Sequence, residues 1–190
     1  MNADTLTHVK TVGASPSEGG ASQGMVLGVD PGISGGLAFY FPHRELTAHN
    51  AAYLFDMPTI HAKRGKAAHD VDIPHFAAII NAFAAQGVHI KKAVVEQVTS
   101  RPRQAGQFAF GTNYGRILGA LEYIGVPIDH IAPTKWKQDL GLRGEDKDMS
   151  VKLAATLFPG LKTDLYGPRG AGKDGKAEAL LMAFYGSKHG

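Results

Sequence analysis

Four acidic residues stand where the sequence predicts the rim of a β-sheet or the start of a helix. Asp30 ends the apolar run 25–29, and Glu96 ends the apolar run 93–95. Asp174 and Glu178 stand four positions apart at the start of an apolar, helix-forming segment. Carboxylates gathered at one rim repel one another unless a cation lies between them, and Mg²⁺ prefers carboxylate oxygen. Two such ions can clamp a phosphodiester and activate water, so the pattern indicates metal-dependent phosphodiester hydrolysis.

Each acid also has an ordinary structural explanation when it is taken alone. Asp30 precedes Pro31 and Gly32 and suits a turn, while Glu96 suits the solvent-exposed end of a strand. Asp174 suits a helix N-cap, and Glu178 suits a first helical turn, where the helix dipole favours negative charge. One shared site explains all four acids, whereas the structural explanations require four independent coincidences. We therefore interpret the acids as one site.

The hydrophobic pattern predicts the elements that position these acids. Strands are predicted at 25–30, 37–41, 51–57, 93–97 and 126–132. The first three can pair as an antiparallel meander, and the last two, each preceded by a helix, should be parallel. Loops are predicted at 61–70, 99–107 and 159–173, and helices at 74–86, after Gly111, at 133–136, 148–158 and 174–185. The predicted fold class is α/β, a mixed five-stranded sheet with helices on both faces.

Length and composition indicate one globular domain. The chain has 190 residues, of which 44% are hydrophobic, and this is long enough for a substantial core. Residues 1–24 are rich in Gly, Ser, Thr and Ala, which predicts a disordered tail and leaves 25–190 as the folded domain. The chain has no cysteine, which excludes disulfides, zinc–thiolate sites and cysteine catalysis.

No apolar run approaches the roughly 20 residues needed to cross a bilayer, and the N-terminus lacks a charged-then-apolar signal pattern. We therefore expect no membrane association and a cytoplasmic location, with an organelle as the alternative.

Positive charge is concentrated around the predicted acidic rim. The formal net charge is only +3, but basic residues cluster in 63–66 and on both sides of Glu96. The flanking residues are Lys91, Lys92, Arg101, Arg103 and Arg116. A basic surround of an acidic rim suits a polyanionic substrate held beside bridging metals. The alternative is a set of solvated positive faces without a ligand.

Two loops have the composition of a nucleic-acid contact. The first combines basic, polar and aromatic side chains, namely Arg101, Arg103, Gln104, Gln107, Phe108 and Phe110, which can hold phosphates and stack on an unpaired base. The second, 167–173, has the spacing G-x-x-x-x-G-K, but Asp174 follows where a phosphate loop needs Ser or Thr. We interpret this second segment as a mobile loop whose Arg169 and Lys173 face DNA phosphates.

The three acidic blocks, in this order, resemble the RuvC-type Holliday-junction resolvases, which are ribonuclease H-like nucleases. The matching segments are 28–32, 95–98 and 177–181, and the resemblance extends over roughly 25–186. Segment 173–186 is most similar to the phage, alphaproteobacterial and plastid members. The resemblance implies a ribonuclease H-like fold and a homodimer that uses Mg²⁺, with Mn²⁺ as a possible substitute. Such a dimer makes paired nicks across a four-way DNA junction.

The resemblance also implies roles for individual residues. Asp30 would bridge two metal ions, Glu96 and Glu178 would hold one each, and Asp174 would complete a shell or orient water. Two lysines, Lys137 and Lys147, fall where the family places phosphate-contacting lysines.

The chain departs from the better-known bacterial members at two points. Those members end in two aspartates three positions apart, whereas Asp174 and Glu178 are four apart, a spacing that still keeps both on one helical face. They also carry a junction-wedging aromatic residue where this chain has Thr99. We predict that Phe108 takes this role, with Phe110 and Tyr114 as alternatives.

Several functions remain open at the level of sequence. A four-way-junction endonuclease is the leading interpretation. The second is a ribonuclease H-like nuclease that acts on RNA–DNA hybrid or on branched DNA other than four-way junctions, because one scaffold serves both. A non-catalytic junction-binding protein is a third. An actin-like ATPase is disfavoured, because 190 residues leave no room for a second lobe. For the dimer, one candidate interface is the helix stripe Tyr114, Ile117, Leu118 and Leu121.

Overall fold

A computed structural model describes residues 24–62, 68–98 and 106–189. Its strands are β1 (Met25–Asp30), β2 (Gly36–Tyr40), β3 (Ala52–Asp56), β4 (Thr59–His61), β5 (His69–Val71), β6 (Ile90–Glu96) and β7 (Ile128–Ile131). Five of them form one sheet in the order β3-β2-β1-β6-β7. The pairs β1–β2 and β2–β3 are antiparallel, and the pairs β1–β6 and β6–β7 are parallel. The predicted mixed sheet, with three antiparallel strands followed by two parallel ones, is therefore confirmed.

Helices cover both faces of this sheet, as predicted. They are α1 (Ile73–Ala84), α2 (Gln107–Ile124), α3 (Pro133–Asp139), α4 (Lys147–Leu157), α5 (Lys162–Leu165) and α6 (Asp174–Lys188), with a 3₁₀ turn at Pro159–Leu161. The first helix begins where its cap requires, because the Asp72 carboxylate accepts a hydrogen bond from the His75 backbone N–H at 3.1 Å. The second begins earlier than predicted, directly after Gly106, whose φ of 81° lies in the left-handed region.

Side chains along each strand alternate between the two faces of the sheet, so the core has two layers. On one face, side chains such as Leu27, Val29 and Val95 pack against α1 and α2. On the other face, Val26 and Val94 pack against α3, α4 and α6. The last helix is buried on nearly all sides, which explains its apolar sequence between Ala177 and Tyr185.

Only the two ends of the predicted loop at 61–70 are in strands. β4 and β5 pair as a small antiparallel sheet, with His61 opposite His69, and residues 63–67, which include the basic cluster, lie outside the described residues. Asn113 of α2 fixes the base of this hairpin, because its buried side-chain oxygen accepts the Val71 N–H at 3.0 Å and its amide donates to Asp70 at 3.3 Å. A tertiary anchor 42 residues away cannot be seen in a local pattern.

Within the described ranges, none of the helices has the length and apolar character needed to cross a membrane. Most of the predicted disordered tail, residues 1–23, lies outside the described residues.

Candidate metal and DNA site

The parallel pairing of β1 and β6 brings two of the acids to one edge of the sheet. Val29 is paired with Val95, so Asp30 and Glu96 follow at adjacent strand ends. Both side chains are partly buried, because the strands that carry them lie at the centre of the sheet.

Glycines allow the last helix to reach the same edge. A Cβ on Gly28 would lie 1.9 Å from the Ala179 carbonyl oxygen, and a Cβ on Gly36 would lie 2.9 Å from the backbone of Gly175. A Cβ on Gly175 would lie 2.5 Å from the backbone carbonyl oxygen of Ser34. Only hydrogen fits at these positions, and the start of α6 therefore packs backbone against backbone on the β1–β2 hairpin. Asp174 and Glu178 are carried to Asp30 by this contact.

Acidic neighbours contribute to raised pKa values at two of the four acids, Asp30 and Glu96. The pKa of Asp30 is raised from 3.8 to about 6, mainly by burial and in part by the negative charges of Glu178 and Asp174, against the Gly32 backbone N–H and the Lys137 charge. Burial likewise raises the pKa of Glu96, with added repulsion from Asp30 and Glu178. The structure therefore places Glu96, Asp174 and Glu178 within interaction range of Asp30.

Each of three carboxylates has one oxygen held by the protein. Asp30 Oδ1 accepts the Gly32 N–H at 3.3 Å, and Glu96 Oε1 accepts the indole N–H of Trp136 at 3.3 Å. Glu178 Oε1 accepts both the Lys137 ammonium at 2.8 Å and the Ser150 hydroxyl at 3.2 Å. No donor among the described residues holds the second oxygen of these three groups.

These residues fit a divalent cation in their chemistry. Carboxylate oxygens are the preferred ligands of Mg²⁺ and Mn²⁺, and the second oxygens of Asp30, Glu96 and Glu178 are available to one. The present arrangement is nevertheless not a finished coordination shell. In the described part of the chain, no three acidic or histidine side chains already surround one cation position. Lys137 holds Oε1 of Glu178, so a cation that used both oxygens of this carboxylate would displace the Lys137 ammonium.

Two residues of this site were missed by the sequence reasoning. Trp136 is fully buried, and its indole N–H donates to Glu96, an acid 40 positions earlier in the chain. Ser150 was not singled out at all, although it is a buried polar residue on α4. Its only sequence signal is a hydroxyl on the buried side of an amphipathic helix, which does not identify its partner.

The predicted DNA-contacting residues are placed unevenly. Phe108 is 89% exposed, but it lies in the first turn of α2 rather than in a loop, because the helix begins at Gln107. Arg169 is exposed in the turn between α5 and α6, and Lys173, just before α6, lies 3.8 Å from Asp56. Arg101, Arg103 and the side chain of Lys147 lie outside the described residues.

The phosphate-loop spacing at 167–173 is confirmed to be coincidental. The preceding element is the short helix α5, whereas a phosphate loop follows a strand. The segment closes on itself through a bridge between Tyr166 and Gly172.

Replacing Trp136 by Phe is expected to lower cation affinity and cleavage about 10- to 100-fold, because Glu96 loses the donor that orients it. Calorimetric titration with Mn²⁺ and a cleavage assay measure the two effects. Phe158→Leu is the matched control, since Phe158 is a fully buried aromatic in the same core layer. It should lose stability without losing cation affinity. Equal cation affinity in Trp136→Phe and wild type would leave Trp136 with a packing role alone.

Comparisons with known proteins found similarity in sequence and in fold. No protein-family model matches the chain. A segment of 70 residues is 41% identical to the chloroplastic Holliday junction resolvase MOC1 of Chlamydomonas reinhardtii. The match covers 36% of this chain and 8% of that protein's length.

Solved structures give a broader match. Thermus thermophilus RuvC, in complex with a Holliday junction substrate, is 22% identical, with a TM-score of 0.57 over 86% of this chain and 95% of that chain. The yeast mitochondrial Holliday junction resolvase Ydc2 is 14% identical, with a TM-score of 0.48 over 95% and 90% of the two chains. At the identity and TM-score of the RuvC match, the likeness establishes the fold. The resemblance to RuvC-type resolvases, indicated by the acidic blocks, is confirmed.

Proposed function

We propose that this chain is a metal-dependent endonuclease that resolves four-way DNA junctions by paired, symmetric nicks. The observation that carries the proposal is the gathering of Asp30, Glu96, Asp174 and Glu178 at one sheet edge, with raised pKa values at Asp30 and Glu96. The RuvC fold and the resolvase names of the similar proteins support four-way DNA as the substrate.

The four acids would hold Mg²⁺, with Mn²⁺ as a substitute. Two such ions, when bound, supply Lewis acidity to the phosphodiester and an activated water molecule. The chain itself contributes placement. Trp136 orients Glu96, Ser150 orients Glu178, and the glycine contacts of α6 keep Glu178 beside Asp30.

Cationic side chains near this edge would bind the DNA backbone. Lys137 lies at the acids, and Arg169 and Lys173 lie on the segment that leads into α6. Phosphate contacts of this kind position a duplex without reading its sequence. Lys147, Arg101 and Arg103 remain predicted contacts.

Phe108→Ala is expected to reduce junction cleavage about tenfold while the fold is unchanged. A base stacked on an aromatic ring contributes about 1–3 kcal/mol, whereas a side chain that is 89% exposed contributes little to the core. Cleavage rates and urea unfolding measure the two effects. Phe110→Ala, in the same helical turn, is the comparison that identifies which ring is used. Unchanged cleavage in Phe108→Ala would remove this residue from the interface.

The predicted dimer interface needs correction. Ile117 and Leu121 are fully buried in the chain's own core, and Tyr114 and Leu118 pack against the same layer. Helix α1 and the sheet cover this stripe, so it is not available to a partner.

The opposite face of α2 is the surface we assign to a second copy. Gly111, Gly115 and Gly119 recur every four residues there, and a Cβ at any of them would meet nothing within 4 Å. Tyr123, which is 93% exposed, follows Gly119 by one further interval of four residues. Each glycine inside a helix lowers stability by about 0.5–1 kcal/mol relative to alanine. Close approach of a second helix would account for the three glycines of α2. Paired nicks need two sites related by a two-fold axis.

Gly115→Leu is expected to convert a dimer into a monomer without unfolding the chain. Open space at this position accommodates the side chain in the monomer, but the leucine would hold a second helix away. Sedimentation velocity at micromolar concentration measures the change. Lys152→Leu adds the same side chain on the exposed side of α4 and should remain dimeric. A monomeric wild type at this concentration would contradict the proposed dimer.

A ribonuclease acting on RNA–DNA hybrid is the competing function. Incubation with Mg²⁺ of a four-way junction, a flap, a linear duplex and an RNA–DNA hybrid separates the two. Cleavage of the junction alone supports the proposal, and cleavage of the hybrid or flap would keep the acidic site but replace the substrate. Tight junction binding without cleavage would favour a non-catalytic binding protein.

Two further expectations stay predictions. They are a disordered tail at 1–24 preceding a nuclease domain at 25–190, and a cytoplasmic location.

A further inference from the structure

The contact between Lys137 and Glu178 joins the residue predicted to bind DNA to one of the predicted cation ligands. The Lys137 ammonium lies 2.8 Å from Glu178 Oε1, and the two side chains are 30% and 12% exposed. Lys137 extends from α3 past the Trp136 ring, with its nitrogen 5.0 Å from the ring centre. The pair is therefore partly shielded from solvent, on the rim of the acidic site.

Lys137 supplies positive charge to the whole acidic group. Its charge lowers the pKa of Asp30 and of Glu96, in addition to its direct contact with Glu178. One monovalent cation thus stands within interaction range of several carboxylates. This is the electrostatic position that a divalent cation would take.

The two cations compete for the same acids. A divalent ion held by Asp30 and Glu178 would repel an ammonium group only a few ångströms away. The ammonium also holds Oε1 of Glu178, so a cation that used both oxygens of this carboxylate would displace it. Lysine has a flexible four-carbon stem, and the 30% exposure of Lys137 leaves it a path towards solvent or a DNA phosphate.

We propose that Lys137 is an exchangeable occupant of the acidic site. Without metal it neutralises Glu178, and when a divalent cation binds, the ammonium is released from Glu178 to a DNA phosphate. Cation binding and the contact of Lys137 with the DNA backbone are then coupled. The cation releases Lys137 to the phosphate, and the phosphate releases Glu178 to the cation. This inference rests on the proposed function only in taking the four acids as cation ligands.

The exchange differs from a fixed positioning role in a measurable direction. A lysine that only positions Glu178 helps the cation to bind, so its removal weakens cation affinity. A lysine that must be displaced opposes the cation, so its removal strengthens affinity. Ser150 holds the same oxygen and can keep Glu178 in place without Lys137.

Calorimetric titration of the DNA-free protein with Mn²⁺ tests the proposal. Lys137→Met should bind Mn²⁺ about tenfold more tightly than wild type, and Lys137→Arg, which retains the charge, should stay within about threefold. Lys135→Met is the matched control, because Lys135 lies on the same helix and also pairs with an acid, Asp139. Its affinity should equal that of wild type.

Each outcome decides a separate point. Equal or weaker Mn²⁺ binding in Lys137→Met would overturn the exchange, and tighter binding in both methionine variants would reduce it to an effect of net charge. No Mn²⁺ binding by wild type would contradict the proposed metal site itself.

A second readout uses the wild-type chain, in case Lys137→Met does not fold without metal. In protein labelled with ¹⁵N-lysine, the Lys137 ammonium signal is assigned by its absence in Lys137→Arg. Mn²⁺ would broaden this signal through its unpaired electrons, so diamagnetic Mg²⁺ is used. The signal should move to the position of solvent-exposed lysines at Mg²⁺ concentrations that occupy the site. An unchanged Lys137 signal at saturation would overturn the proposal.

Discussion

Asp30→Asn is expected to reduce DNA cleavage by at least about a thousandfold, equivalent to roughly 4 kcal/mol of transition-state stabilisation, while junction binding remains. Asp30 stands at the centre of the sheet edge and interacts with Glu96, Asp174 and Glu178. Asparagine has almost the same shape and can still accept the Gly32 N–H. It lacks the negative charge that a divalent cation requires. Cleavage under single-turnover conditions and binding in the absence of Mg²⁺ measure the two effects.

The same substitution should raise the stability of the metal-free protein. The folded-state pKa of Asp30 is raised from 3.8 to about 6, so folding favours the protonated form. The resulting stabilisation is present below about pH 4 and is lost as the pH rises through about 6. A shift of about two pKa units corresponds to roughly 3 kcal/mol. Asp30→Asn stays neutral and avoids this loss.

Urea unfolding in the presence of EDTA, from pH 4 to pH 7.5, measures this effect. The wild type should lose stability across the range relative to Asp30→Asn, and saturating Mg²⁺ should restore the wild type alone at pH 7.5. Retained cleavage in Asp30→Asn would remove Asp30 from the mechanism. If the difference in unfolding free energy between the two proteins is independent of pH, the charge of Asp30 does not destabilise the metal-free fold.

Gly28→Ala is expected to destabilise the fold by about 3 kcal/mol or more and to abolish cleavage. The new methyl group would lie 1.9 Å from the Ala179 carbonyl oxygen and 3.0 Å from the Ala183 Cβ. Neither the central strand β1 nor the buried helix α6 can move away without opening the core between them. Because α6 carries Asp174 and Glu178, any displacement also separates these acids from Asp30. Urea unfolding and the cleavage assay measure both losses.

Gly167→Ala is the matched control for this substitution. A Cβ at Gly167 would meet its nearest neighbour at 3.6 Å, an ordinary van der Waals contact, and the unfolding free energy should change by less than about 1 kcal/mol. Similar losses in both variants would mean that close packing of α6 on β1 does not position the acids.

The central strands and their acids could be predicted because buried strands are read directly from apolar runs. The runs that end at Asp30 and Glu96 form neighbouring strands, so the two acids meet as expected. The burial of α6 on nearly all sides likewise matches its continuous apolar sequence.

Other features could not be predicted because they depend on partners distant in the chain. The indole N–H of Trp136 is directed to Glu96 only after β6 and α3 have come together. The side of α2 that is buried was predicted correctly as apolar, but its occupant is the chain's own core rather than a second copy. The exposed glycines on the other side carry no hydrophobic signal, and a pattern of apolar residues does not reveal them.

The most direct test of junction resolution is to map the nicks on a mobile four-way junction whose four strands are labelled in turn. Purified protein with Mg²⁺ should produce nicks at symmetric positions on two opposite strands, with none on linear duplex and none from Asp30→Asn. Nicks distributed equally over junction and linear duplex would contradict structure-selective cleavage. An intact junction that remains tightly bound to the protein would contradict catalysis altogether.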